Sequence, residues 1–113
     1  MNVNELSGAD LDLEVAKIEY TKPVTIGSST LMVFKDVPFD YHPSTNWAQG
    51  GPIIERKGIQ LARVGDVWEA WVDADGVFCQ GPTPLIAAMR CYVASVMGAE
   101  VDVPEELKEV IYE

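Results

Sequence analysis

Chemistry in this chain would have to come from a short roster of side chains. His42 is the only histidine, with Asp40 and Ser44 two residues away on either side. Groups at that spacing on an extended chain do not aim their reacting atoms at one another, and no Gly-x-Ser-x-Gly elbow is present. Cys79 and Cys91, His42 and the scattered carboxylates match no standard metal-ligand spacing. Gly50-Gly51 is followed by Pro52, where a phosphate loop would need a Lys and a Ser or Thr. The residues therefore point to binding: no catalytic residue, metal ligand or cofactor is expected.

Residues 42–56 are the densest set of recognition groups. They offer an aromatic plane (Trp47), amides and hydroxyls (Ser44, Thr45, Asn46, Gln49), backbone-exposing glycines (Gly50, Gly51) and a charged pair (Glu55, Arg56). A polar ring-containing ligand needs a stacking face and directional donors and acceptors of this kind. The competing reading is structural, because Ser, Thr and Asn also bond their own backbone in turns and a Trp can pin a loop. Arg90 is the second candidate. An unpaired guanidinium inside an apolar helix is costly, so it should pair with an acid such as Glu55, snorkel to the surface or clamp a ligand anion. The ligand-binding set expected from the sequence is thus Ser44, Thr45, Asn46, Trp47, Gln49, Gly50, Gly51, Glu55 and Arg90.

The element that would floor such a site runs over about 83–97. Thr83 is a good N-cap, Pro84 suits the first helical position and Gly98 can close the last turn. Leu85, Ala88, Met89, Tyr92 and Val96 form one apolar stripe, and Ile86, Val93 and Met97 a second. A helix apolar on so many sides must be covered by the rest of the chain. It is expected to be the central core helix, roughly 22 Å long at about 1.5 Å per residue.

Ahead of it, Ser7 and Asp10 open a helix at about 8–20 whose stripe is Leu11, Val15 and Ile18, with Leu13 departing from it. Residues 23–27 and 30–35 read as a hairpin turning at Gly27-Ser28-Ser29. An irregular section follows over 36–58, with at most a short helical turn within 46–57. Residues 59–64, 67–73 and 77–80 read as three strands. In the second of these, Trp68 and Trp71 fall on opposite faces, so only one should join the core. After the core helix, 101–103 is extended and a short helix runs from Pro104 to about Ile111. The expectation is one α+β domain over 1–113: an antiparallel sheet of four to five strands packed on the helix at 83–97, with an N-terminal and a short C-terminal helix.

The net charge of −10 sits at the ends. Residues 1–20 carry a balance of −4 and residues 99–113 a balance of −5, leaving the middle near neutral. Such a surface repels phosphate backbones, so no nucleic acid is expected, and it could attract a basic protein. No apolar run reaches the roughly 18 residues of a membrane span, and the opening residues lack the pattern of a signal peptide. Two cysteines suit reduced thiols in a cytoplasm.

Two blocks carry a family resemblance. Pro43-Ser-Thr-Asn-Trp-Ala-Gln-Gly-Gly-Pro-Ile-Ile-Glu-Arg-Lys-Gly-Ile59 and Gly81-Pro-Thr-Pro-Leu-Ile-Ala-Ala-Met-Arg-Cys-Tyr-Val-Ala-Ser95 resemble the NinX-like family of small phage proteins, and Leu6–Lys17 fits it in outline. The resemblance implies a phage or prophage accessory protein acting in the cytoplasm of a bacterial host, and it supplies no catalytic residues. Two functions are in view. One is a non-enzymatic binding module for a small polar or nucleotide-like ligand. The other is an acidic interaction protein that binds and modulates a host protein.

Overall fold

The computed structural model describes residues 2–73 and 76–98. The expected strand at 101–103, the helix at 104–111 and the acid-rich C-terminal end lie outside the described residues.

The core helix forms as its end signals require. Helix α3 spans Pro84–Met97, and the Thr83 hydroxyl accepts from the Ile86 amide at 3.1 Å. Leu85, Ala87, Ala88, Met89 and Cys91 to Ala94 are buried, while Val96 and Met97 emerge in the last turn. Its cover on one side is an antiparallel meander, β3 (Gln60–Val64), β4 (Val67–Val72) and β5 (Val77–Gly81), in the order β3-β4-β5. Alternation along β4 sends Trp68, Ala70 and Val72 to the core and leaves Trp71 opposite Phe78 on the outer face. Gly81 lets the helix approach: a Cβ there would lie 2.7 Å from the Ala87 amide nitrogen.

The other sides are closed by two helices. Helix α1 spans Gly8–Tyr20 and buries the expected Leu11 and Val15. Ser7 stands at its N-cap position, but its side chain makes no capping bond. Helix α2 spans Trp47–Lys57, where the sequence suggested no more than a short turn. It is held at both ends: the Asn46 side chain accepts from the Ala48 amide at 2.8 Å, and the helix closes on a left-handed Gly58.

The sheet departs from expectation. The hairpin β1 (Thr21–Ile26) and β2 (Ser29–Phe34) pairs with itself and forms a separate two-stranded sheet, so one sheet of four to five strands is replaced by two, of two and three strands. The physical reason is geometric. β1 follows directly from Tyr20 at the end of α1, and the chain leaves β2 through Asp36 in the left-handed region (φ 65°) into 37–46 rather than toward the meander. Ile26, Leu31 and Met32 of the hairpin are 63%, 52% and 66% exposed, whereas the meander packs on α3.

Candidate functional site

The polar residues of 42–56 are brought together around the start of α2, and most are engaged in building it. The His42 carbonyl accepts from the Thr45 and Asn46 amides at 3.1 and 3.0 Å. Gln49 reaches back from the first turn of α2, accepting from the His42 amide at 2.7 Å and donating to the Asp40 carbonyl at 2.7 Å. Ser44 is buried, and its amide donates to the Asp12 carboxylate of α1 at 2.8 Å. Gly50 has no room for a ligand, or even for a methyl group. A Cβ there would lie 2.5 Å from the Pro43 carbonyl oxygen and 2.7 Å from Leu85 Cδ2. Thr45 and Glu55 face solvent, Gly51 is half-buried, and the Trp47 ring is 54% exposed at the first position of α2.

Arg90 does not pair with Glu55. Its Nε donates to the Leu6 carbonyl at 2.8 Å and its Nη1 to the Gln80 carbonyl at 2.7 Å, so one guanidinium ties the N-terminal turn and β5 to α3. Burial lowers its pKa, yet a guanidinium starting this high stays charged. Its neighbour Cys79 is buried and its thiol is pushed up by that burial, which withholds the reactive thiolate.

A polar cluster joins α1, α2 and α3. Glu19 Oε2 accepts from Arg56 Nη2 at 2.7 Å and from the Tyr92 hydroxyl at 2.5 Å. Lys57 Nζ stands 5.9 Å from the centre of the Tyr92 ring, and Tyr20 meets Tyr41 edge-on at 5.2 Å. Burial, and then the bond to the Glu19 carboxylate, pushes the Tyr92 phenol up to about 12. Tyr41 is raised further, by burial first and by Glu19 next. The Tyr92 phenol is held neutral, as suits a latch between α1 and α3. His42 meets Asp40 at 3.1 Å on the surface, and among the described residues no three His, Cys, Asp or Glu side chains converge as metal ligands would.

An open groove of about 430 Å³ lies elsewhere. One wall is α1, through Ala9, Leu13 and Ala16. The other is the end of β2 and the segment after it, through Phe34, Val37, Pro38, Phe39 and Tyr41. Leu13 is 41% exposed and Phe39 fully exposed. Asp12 of α1 is also in the lining, and the exposed Asp36 and Asp40 flank Val37 and Phe39 in sequence, as Lys35 flanks Phe34. The sequence reading did not assemble this groove. Its trace was Leu13, which departs from the core stripe of α1, and Phe39 in the irregular section after the hairpin.

These features describe a small α+β protein with an open, largely apolar groove and no assembled catalytic constellation among the described residues. Comparison with known families gives the particular identity. The chain belongs to the family described as Bacteriophage P22, NinX, whose family model matches residues 2–96. It is accordingly a phage accessory protein. No curated protein matches the chain. Among the described residues no helix is long and apolar enough to cross a membrane.

Proposed function

We propose that this phage protein works by non-covalent capture of a host protein, with the groove between α1 and the Val37–Tyr41 segment taking an apolar segment flanked by basic residues. The observation that carries this reading is Phe39, a large aromatic fully in solvent on the wall of a groove whose lining includes Asp12, with the exposed Asp36 and Asp40 next to its wall in sequence. Exposed apolar surface framed by polar residues marks interaction sites. The acids choose the partner's charge: a basic flank gains in encounter rate and specificity, and an acidic flank is repelled. The alternative, a small polar or nucleotide-like ligand at 42–56, retains the exposed Trp47 ring as a stacking face. Two of the Arg90 donors that would clamp a ligand anion there are given to backbone carbonyls instead, which favours the groove.

The test uses the full chain and three synthetic peptides sharing one apolar core, flanked by Lys, Ser or Glu, with affinity read by fluorescence anisotropy. The Lys-flanked peptide should bind at least tenfold more tightly than the Glu-flanked one. Phe39→Asp should remove binding while melting, at low protein concentration, within a degree or two of wild type, because so exposed a side chain contributes little to stability. Equal binding of all three peptides, or full binding by Phe39→Asp, overturns the reading.

A further inference from the structure

The chain itself carries a segment with the chemistry that the groove requires. Residues 21–35 include Lys22 and Lys35 and no acid, in a protein of net charge −10. The register pairs Lys22 with Val33, Val24 with Leu31 and Ile26 with Ser29. Directly paired residues share a face, so Lys22, Val24, Ile26, Leu31 and Val33 lie together on one side of the hairpin. Ile26 and Leu31 on that side are largely exposed. A two-stranded hairpin with uncovered apolar residues is marginal by itself, and burial against another surface would stabilise it.

That surface is not the groove of the same molecule. Phe34, at the base of the hairpin, is part of the groove wall. Ile26 stands five residues along the strand from Thr21, the partner of Phe34. At about 3.3 Å per residue the tip is roughly 17 Å away and cannot fold back without breaking the ladder.

We propose that the groove is filled by the Lys22–Val33 face of the hairpin of a second copy, so that two chains exchange hairpins about a two-fold axis. Each hairpin brings an apolar face and a lysine to a groove lined by Leu13, Phe34 and Phe39, with Asp12 in its lining and the exposed Asp36 and Asp40 next to its wall in sequence. The contact is reciprocal, as closed two-fold assemblies require, and it closes without leaving a free sticky face to grow a filament. This inference rests on reading the groove as a binding site. It adds that the resting site is self-occupied and that a host segment binds by displacing the hairpin.

The test is sedimentation velocity on the full chain from low to high micromolar concentration. Wild type should pass from monomer to dimer, and added salt should weaken the dimer, since its rim contacts are exposed charges. Ile26→Asp and Phe39→Asp should each be monomeric. Where wild type is monomeric, Ile26→Asp should match its circular dichroism spectrum and melting temperature, because Ile26 is 63% exposed in the single chain; where wild type is dimeric, the variant should melt below it. Lys22→Glu is a second variant expected to loosen the dimer. Mixing the two monomeric variants is decisive. One then supplies an intact groove and the other an intact hairpin, so labelled Ile26→Asp titrated with unlabelled Phe39→Asp should form a heterodimer weaker than wild type. Self-filling is overturned by a wild type monomeric throughout, by an undiminished Ile26→Asp dimer, or by variants that fail to associate with each other. The two readings fail separately. Ile26→Asp keeps the groove and should bind the Lys-flanked peptide at least as tightly as wild type. Peptide binding by a monomeric wild type sinks only the exchange, and a dimer whose Ile26→Asp form binds no peptide sinks only the host reading.

Discussion

At the scale of single residues, the polar groups in this chain are mostly committed to holding it together. Arg90 gives two donors to backbone carbonyls, Gln49 bridges two backbone groups, and Glu19 collects a guanidinium and a phenol on one oxygen. The last of these has a pH signature. Tyr92 titrates near 10 when unexposed to partners and at about 12 in the fold, the rise coming first from burial and then from the Glu19 bond. The folded state therefore holds the phenolic proton more tightly than the unfolded chain. The stabilisation is complete below the unfolded value and is lost as pH climbs through the folded one. Urea midpoints should be level near neutral pH and fall between about pH 10 and about pH 12. Tyr92→Phe should start lower, by the missing hydrogen bond, and fall less steeply. Tyr41, raised in the same direction, keeps some of the slope. A Tyr92→Phe curve parallel to wild type would place the alkaline loss elsewhere.

Among the elements, legibility followed how much of each was written locally. Helices α1 and α3 could be read because apolar spacing and end residues agreed. Helix α2 could not, because Gly50-Gly51-Pro52 advertises a break. What offsets those residues is tertiary: the Asn46 cap, the Gln49 brace and a tight seat for Gly50 between Pro43 and Leu85. The strands were found to within a residue or two, yet not their grouping, since period-two alternation marks a strand without saying which sheet accepts it. The candidate site suffered from the same ambiguity, as Asn46, Gln49 and Arg90 have the groups a ligand needs and also those a backbone needs. Gly50 and Gly51 separate the two demands. Gly50→Ala drives a methyl into a carbonyl oxygen and should cost about 1–3 kcal/mol. Gly51→Ala meets open space and should be neutral or gain up to about 1 kcal/mol in this helix. Thermal melts decide it, and a Gly50→Ala protein as stable as Gly51→Ala would mean that α2 is not anchored as described.

On the scale of the whole molecule, the fold divides into a packed body and a projecting arm. The body is α3 with the meander and the two flanking helices, and its interior includes Ala70, Val72, Met89, Cys91 and Val93. The arm is the hairpin Thr21–Phe34, paired only with itself and open to water along much of both strands. Local opening is governed by the apolar contacts a segment would lose, so arm and body should not open together. Native-state amide exchange tests this on the Ile26→Asp chain, where exchange of hairpins between copies is removed. The β4 and α3 amides should exchange only through global unfolding, with denaturant slopes matching the whole protein. The β1 and β2 amides should exchange through a smaller opening, orders of magnitude faster and with a shallow slope. In wild type the hairpin amides should slow as concentration rises while the β4 amides do not change. Hairpin amides as protected as those of β4 in the monomeric variant would show one cooperative unit, and an arm that is part of the body would not be available to a second copy.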